Sequence, residues 1–164
     1  MSTKVKRSQI ALFMNTTPSA TAASYDRVGD GVTTATMNYN PNTVTEQYIH
    51  QDSANTFVES YAPTFPLEQT CVAGDDVFDF IDGLRQGVAV LDAAETDVVE
   101  VRLYETPDTA GTSYPATKWN VSVSIDTFGG DGGTSGRINY TLNTIGDPVQ
   151  GDFNTSTLAF TADT

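Results

Sequence analysis

Few residues in this chain have the type or spacing for covalent, acid–base or metal chemistry. His50 is the only histidine and Cys71 the only cysteine. A nucleophile needs a base within hydrogen-bond reach, and no motif surrounds either residue. They fall in different expected elements and read as a satisfied or exposed histidine and a small buried thiol. Residues 129–136, GGDGGTSG, have the glycines of a phosphate cradle. A P-loop, however, ends in lysine followed by serine or threonine and opens a helix, whereas here a strand pattern follows, so a flexible hairpin turn is expected. Asp75, Asp76, Asp79 and Asp82 lack the central glycine and distal glutamate of a calcium loop, and a helical pattern accounts for them as a cap and a solvated face. Among 21 acidic residues, nothing selects a glycosidase pair. No catalytic residue, no cofactor and no metal is therefore expected.

The elements that hold these side chains belong to an acidic, threonine- and glycine-rich chain of 164 residues with a formal net charge of −13. That length favours one domain with its own core, over residues 1–164. Lys4, Lys6 and Arg7 supply three of the eight basic residues, which leaves no cluster able to grip nucleic acid by neutralising phosphates. They read as a solvated terminus, or as a partner for an acidic neighbour in an assembly. A lone cysteine excludes an internal disulfide and fits a reducing compartment. The apolar run at 10–14 is too short for a signal peptide, and no segment reaches transmembrane length. A soluble protein made and used without secretion is expected, so the glycosylation-type triplets at Asn15, Asn120, Asn139 and Asn154 carry little meaning.

Alternation is clearest over residues 118–145. Trp119, Val121, Val123 and Ile125 alternate with Lys118, Asn120, Ser122, Ser124 and Asp126. Beyond the glycine loop, Ile138, Tyr140 and Leu142 alternate with Arg137, Asn139, Thr141 and Asn143. This predicts a long antiparallel hairpin with one apolar face and one face of mainly small polar side chains. Residues 32–40 repeat the pattern more weakly, with Ala35, Met37 and Tyr39 opposed to Thr34, Thr36 and Asn38. Val99, Val101 and Leu103 mark a strand at 98–104, and others are expected at 5–14, around 151–153 and at 158–161. One helix is expected at 75–88, where Val77, Phe78, Ile81, Leu84 and Val88 form a stripe above the N-cap Asp75. Residues 89–97 read as an acidic connection.

Residues 38–69 are strand-like in type yet too polar to bury themselves. Pro63 and Pro66 exclude a helix, and from residue 57 one face reads Phe57, Glu59, Tyr61, Pro63, Phe65 and Leu67 against Val58, Ser60, Ala62, Thr64, Pro66 and Glu68. Residues 40–55 read as a polar loop that still carries apolar groups. A long excursion of that kind is seldom an idle connection. It looks made to be completed from outside its own chain.

In this order of elements the chain resembles the major tail (tail tube) proteins of long-tailed bacteriophages, most closely those infecting Gram-positive bacteria. The matching stretches are KVKRSQIALFMN, YNPNTVTEQYI, FVESYAPTFPLEQTCVAGDDVFDFIDGLR and SIDTFGGDGGTSGRINYTLNTIGDPVQGDF, which together span nearly the whole chain. The resemblance implies a mainly β, antiparallel sandwich or barrel with one flanking helix. It also implies a structural protein of the virion tail, assembled in the host cytoplasm into stacked hexameric rings around a tape-measure protein. The tail terminator and distal tail proteins are further partners, double-stranded DNA passes transiently, and no membrane is involved. On this reading residues 40–55 order between subunits or rings, through Asn42, Val44, Glu46, Tyr48, Ile49 and His50, and the glycine loop can order against an adjoining ring.

The residue pattern adds a mechanism. A sheet that packs its apolar side on its own domain leaves the polar side free to line a wet channel once neighbouring subunits close its edges. Strand phase then points Thr34, Thr36, Asn38, Ser60, Thr64, Glu68, Asn120, Ser122, Ser124, Asp126, Asn139, Thr141 and Asn143 into the channel. Small neutral side chains offer phosphates few holds and carboxylates repel them, so DNA slides. The alternative from another class is a monomeric β-sandwich that binds carbohydrate. It calls for exposed aromatic residues beside polar ones, whereas Trp119 and Tyr61 share phase with apolar positions.

Overall fold

The computed structural model describes residues 2–164. Its strands are β1 (Ile10–Asn15), β2 (Tyr25–Arg27), β3 (Val32–Ala35), β4 (Pro41–Glu46), β5 (Asn55–Tyr61), β6 (Thr64–Thr70), β7 (Glu95–Arg102), β8 (Ser113–Gly129), β9 (Arg137–Asn154) and β10 (Ala159–Ala162). One α-helix, α1 (Asp76–Gln86), lies between β6 and β7, and short 3-10 turns precede β1 and β7. The main sheet runs β2-β1-β7-β8-β9-β6-β3, with β10 on β9, and every pairing is antiparallel; β4 and β5 form a separate two-stranded sheet. The result is a curled half-barrel with one helix, the mainly β architecture that the alternation predicts. Among the described residues no helix is long and apolar enough to cross a membrane.

The expected hairpin is present in the expected phase, with Val123 opposite Leu142 and Ile125 opposite Tyr140. It is longer than the 118–145 reading, because Gly146, Asp147 and Pro148 do not end the strand. They bulge out opposite Trp119, between the pairs Lys118–Val149 and Asn120–Ile145. A bulge asks for no ladder hydrogen bond from proline, so β9 runs on to absorb the strand expected around 151–153. The segment expected at 98–104 is β7, shifted toward the N-terminus, and β1 begins only at Ile10, after a 3-10 turn at Arg7–Gln9.

Two apolar clusters lie on opposite faces of this sheet. Leu12, Met14, Val98, Val121, Val123, Leu142, Phe65 and Leu67 pack beneath Val77, Phe78 and Ile81 of α1. On the other face Phe13, Tyr25, Val99, Val101, Ala116 and Phe153 are enclosed by the curl, with Phe160 of β10 against them. Strands β1 and β7 are therefore buried on both sides, which explains why Val98 and Val99 are both inaccessible. Gly151 allows β10 its close approach, since a Cβ there would sit 2.1 Å from the Thr161 carbonyl oxygen.

The helix starts as expected, with Asp75 Oδ2 accepting from the Phe78 amide at 2.9 Å. That carboxylate also accepts from Gln69 Nε2 at 3.0 Å, and Gln69 Oε1 accepts from the Tyr140 hydroxyl at 3.1 Å. Gln69 and Tyr140 are fully buried, so this chain of bonds satisfies polar groups that water cannot reach. Burial, and then the Asp75 charge, push the Tyr140 phenol above its ordinary pKa of 10.0. Burial and a hydrogen bond to Asp97 do the same for Tyr25. Above that ordinary value the unfolded phenols ionise while the folded ones keep their protons. The folded state then binds more protons and loses stability as pH rises, by up to ~1.4 kcal/mol per pH unit for each tyrosine. The urea midpoint should accordingly hold level up to about pH 9 and fall from there through about pH 11, less steeply in Tyr140→Phe. A midpoint that does not move over that range would contradict the assignment.

Candidate channel face and assembly arm

Half of the main sheet, in the order β8-β9-β6-β3, carries its polar face uncovered. Register brings the side chains into rows. Ser122 lies opposite Asn143, which lies opposite Thr64, and Asn38 bridges to Thr64. Ser124 pairs with Thr141, and Thr141 with Pro66. Thr127 pairs with Asn139, then Glu68, then Thr34. Asp126 bulges between the last two rows and accepts from the Thr141 hydroxyl at 2.8 Å. Asn143 Nδ2 donates to Ser124 Oγ at 3.1 Å, so the face is laced by short polar links rather than by ion pairs.

Thr34, Asn38, Thr64, Glu68, Ser122, Ser124, Asp126, Asn139, Thr141 and Asn143 thus share one face, as strand phase predicts. Asn120 shares it at the border with β7, opposite Ile145 and Asp97. Thr36 lies just beyond β3, which ends at Ala35. Ser60 does not belong to the face. The single strand expected over 57–69 is two strands in two sheets, broken at Ala62 and Pro63, and Ser60 sits on β5 opposite Asn42. Thr127 is the residue that alternation missed, because the bulge at Asp126 resets the phase by one.

The other expected loop is also a correction. Residues 40–55 are not irregular: Asn42, Val44 and Glu46 lie on β4, paired to β5, and Tyr48, Ile49 and His50 form the tip of the hairpin. Its links are its own. Asn42 Nδ2 donates to Glu59 Oε2 at 2.8 Å, the Thr45 and Thr56 hydroxyls meet at 3.0 Å, and the Tyr48 and His50 rings stack. Val44 pairs with Phe57, yet Phe57, Val58, Tyr61, Tyr48 and Ile49 are all exposed. Among the described elements β4 and β5 pack extensively only on each other. An isolated two-stranded hairpin is marginal in water, and this one holds its apolar groups in the open.

The histidine and the cysteine weighed for chemistry lie at separate elements. His50 is at the arm tip, and Cys71 follows β6, its thiol pushed up by burial and by Asp82, which makes it a poorer nucleophile. Asp75 is the helix cap, and Asp82 is held below its ordinary range by Arg85, at 2.7 Å. No grouping of potential metal ligands occurs among the described residues. The glycine loop joins β8 to β9, a strand and not a helix.

No protein-family model matches the chain, and no curated protein matches it. Among solved structures, the chain is similar to one from the tail of an empty GTA (gene transfer agent) particle, determined with helical refinement and C6 symmetry. The TM-score is 0.61 at 12% identity, and the match covers 97% of this chain and 100% of that one. At that identity the likeness defines the fold: a tail-type half-barrel.

Proposed function

We propose that this chain is a non-catalytic structural subunit of a phage-like tail, six copies of which close into a ring that stacks into a tube for DNA. The observation that carries the reading is the fold shared over nearly the full length of both chains with a C6-symmetric tail. The open edges of the sheet support it. Among the described residues, strand β3 is paired only to β6, and β8 beyond Ser122 only to β9. Four antiparallel strands leave β8 and β3 running in opposite directions. Rotation about an axis along the strands then brings the β3 edge of one copy antiparallel to the β8 edge of the next. Such closure removes both edges and turns the row of small polar side chains inward. In this reading the tape-measure, tail terminator and distal tail proteins are partners, and the subunit resides in the virion tail after assembly in the host cytoplasm. The affinity to phages of Gram-positive hosts rests on the sequence resemblance alone.

One observation favours a second reading. Tyr39 and Tyr61 meet edge to face over a cavity of about 780 Å³ that also reaches Trp119, Glu59 and Asp147. Exposed aromatic residues beside carboxylates are what a carbohydrate site requires. This cavity lies at the base of the arm, where an assembly contact would also fall.

Electron microscopy of the purified chain separates the two. Sixfold rings or tubes are expected. Hydrogen exchange should be fast over residues 41–61 in the free subunit and slowed in the assembly, because the arm has no support of its own. A chain that stays monomeric at high concentration and binds glycans would overturn the tube reading. Equal protection of the arm in both states would remove its assembly role.

A further inference from the structure

The end of α1 displays apolar side chains in a conformation that suits them poorly. The Val88 amide donates to the Arg85 carbonyl at 3.1 Å and the Ala89 amide to Leu84 at 3.0 Å, the paired bonds of a Schellman ending. The left-handed position of that ending favours glycine, but here it is taken by Val88, with φ 46°, while the neighbouring Gly87 has an ordinary helical φ of −82°. Leu91 repeats the departure with φ 52°. A β-branched residue in that region is an outlier. Burial does not explain it, since Val88 is 78% and Leu91 81% exposed. The stripe expected from the sequence included Val88, so this is also a correction: the helix ends at Gln86, and Val88 turns away from the core.

This turn overhangs the open stretch of β8. Leu84, Val88, Val90 and Leu91 wall a cavity of about 340 Å³ whose opposite side is β8 at residues 122–125. Below it the backbone edge of β8 has no partner beyond Ser122 among the described residues. A strand laid along that edge would turn alternate side chains toward the helix side, into the overhang. The edge strand β3 has the matching composition: Val32 and Ala35, with Met37 just after it, lie on the helix side of the sheet and are only partly covered by their own chain.

We infer that Val88 and Leu91 clamp the β3 edge of a second copy, covering its Val32, Ala35 and Met37 where that strand adds to β8. The inference rests on the ring reading above and names the side chains that hold neighbours together within a ring. The second copy is favoured over another protein because the same sheet carries both halves of the contact, in opposite directions and with the apolar groups in phase.

The test compares the concentration at which rings or tubes form, by sedimentation, for the wild type, Val88→Gly and Leu91→Asp, with circular dichroism and thermal melting of the free subunit. Val88→Gly relieves the backbone strain, so the free subunit should melt no lower than wild type, whereas the assembly threshold should rise at least about fivefold. Leu91→Asp should raise it further. A role confined to the subunit's own fold predicts the opposite, a lowered melting point with an unchanged threshold. Should Leu91→Asp fail to fold, Val88→Gly alone decides. Wild-type assembly with an unchanged threshold in Val88→Gly overturns the clamp and leaves the ring standing. A wild type that never assembles overturns both.

Discussion

Phe153→Ala should destabilise the free subunit by about 3–5 kcal/mol, the usual cost of truncating a fully buried aromatic residue. The Phe153 ring has no solvent exposure, lies 4.5 Å from the ring of Phe13 and meets Tyr25 edge-on at 5.8 Å. It belongs to the smaller cluster, inside the curl formed by β10, β9, β8, β7, β1 and β2, where Phe13, Tyr25, Val99, Val101 and Ala116 surround it. A subunit with a total stability of about 5–15 kcal/mol would lose a large part of it. The matched control is Phe57→Ala on the arm, where the ring is exposed and opposite Val44 only. That change should alter the free subunit by less than about 0.5 kcal/mol. Urea unfolding of the two variants gives the comparison directly. Equal losses would mean that the arm is packed in solution and that its free state is not the open hairpin.

The same contrast explains what could be read before the structure. Strands with one wet face announce themselves, because burial alternates with period two. The alternation of Trp119 to Ile125 and of Ile138 to Leu142 marks both strands and their polar face. Helix α1 was equally legible from Val77, Phe78 and Ile81 above an aspartate cap. Strands buried on both sides do not alternate, so Val98 and Val99 told of a strand but not of two cores. Bulges were illegible for another reason. Proline and glycine at 146–148 carry the same local signal whether they end a strand or bulge from one, and only the pairing across to Trp119 decides. The arm does not read as two paired strands, because its hydrophobic groups serve no core of this chain. Pattern reading looks for burial, and Val44, Tyr48, Phe57 and Tyr61 are not buried within the subunit. Ser60 leaves the shared face with the arm, and Thr127 joins it through the bulge, which no alternation announces.

Replacing both Ser122 and Ser124 with lysine should leave the subunit folded and the tube assembled, yet slow the passage of DNA at least about tenfold at low salt. Ser124 is exposed and Ser122 half-buried on the uncovered polar face, so two long side chains can extend from them without entering a core. Surface changes of this kind cost the fold little. In a sixfold ring they add about a dozen positive charges to a wall whose only charged groups in these rows are Glu68 and Asp126. Each phosphate that meets a lysine releases condensed counterions, and roughly six such contacts strengthen binding by orders of magnitude at low salt. A sliding duplex would then meet a trap at every ring. The effect should weaken steeply as salt rises, while a purely steric block would not, and replacement by glutamine of similar reach supplies the second control. Release of dye-labelled DNA from triggered particles measures the rate. Particles of normal length that carry both lysines and eject at the wild-type rate, at low and high salt alike, would place this face away from the channel.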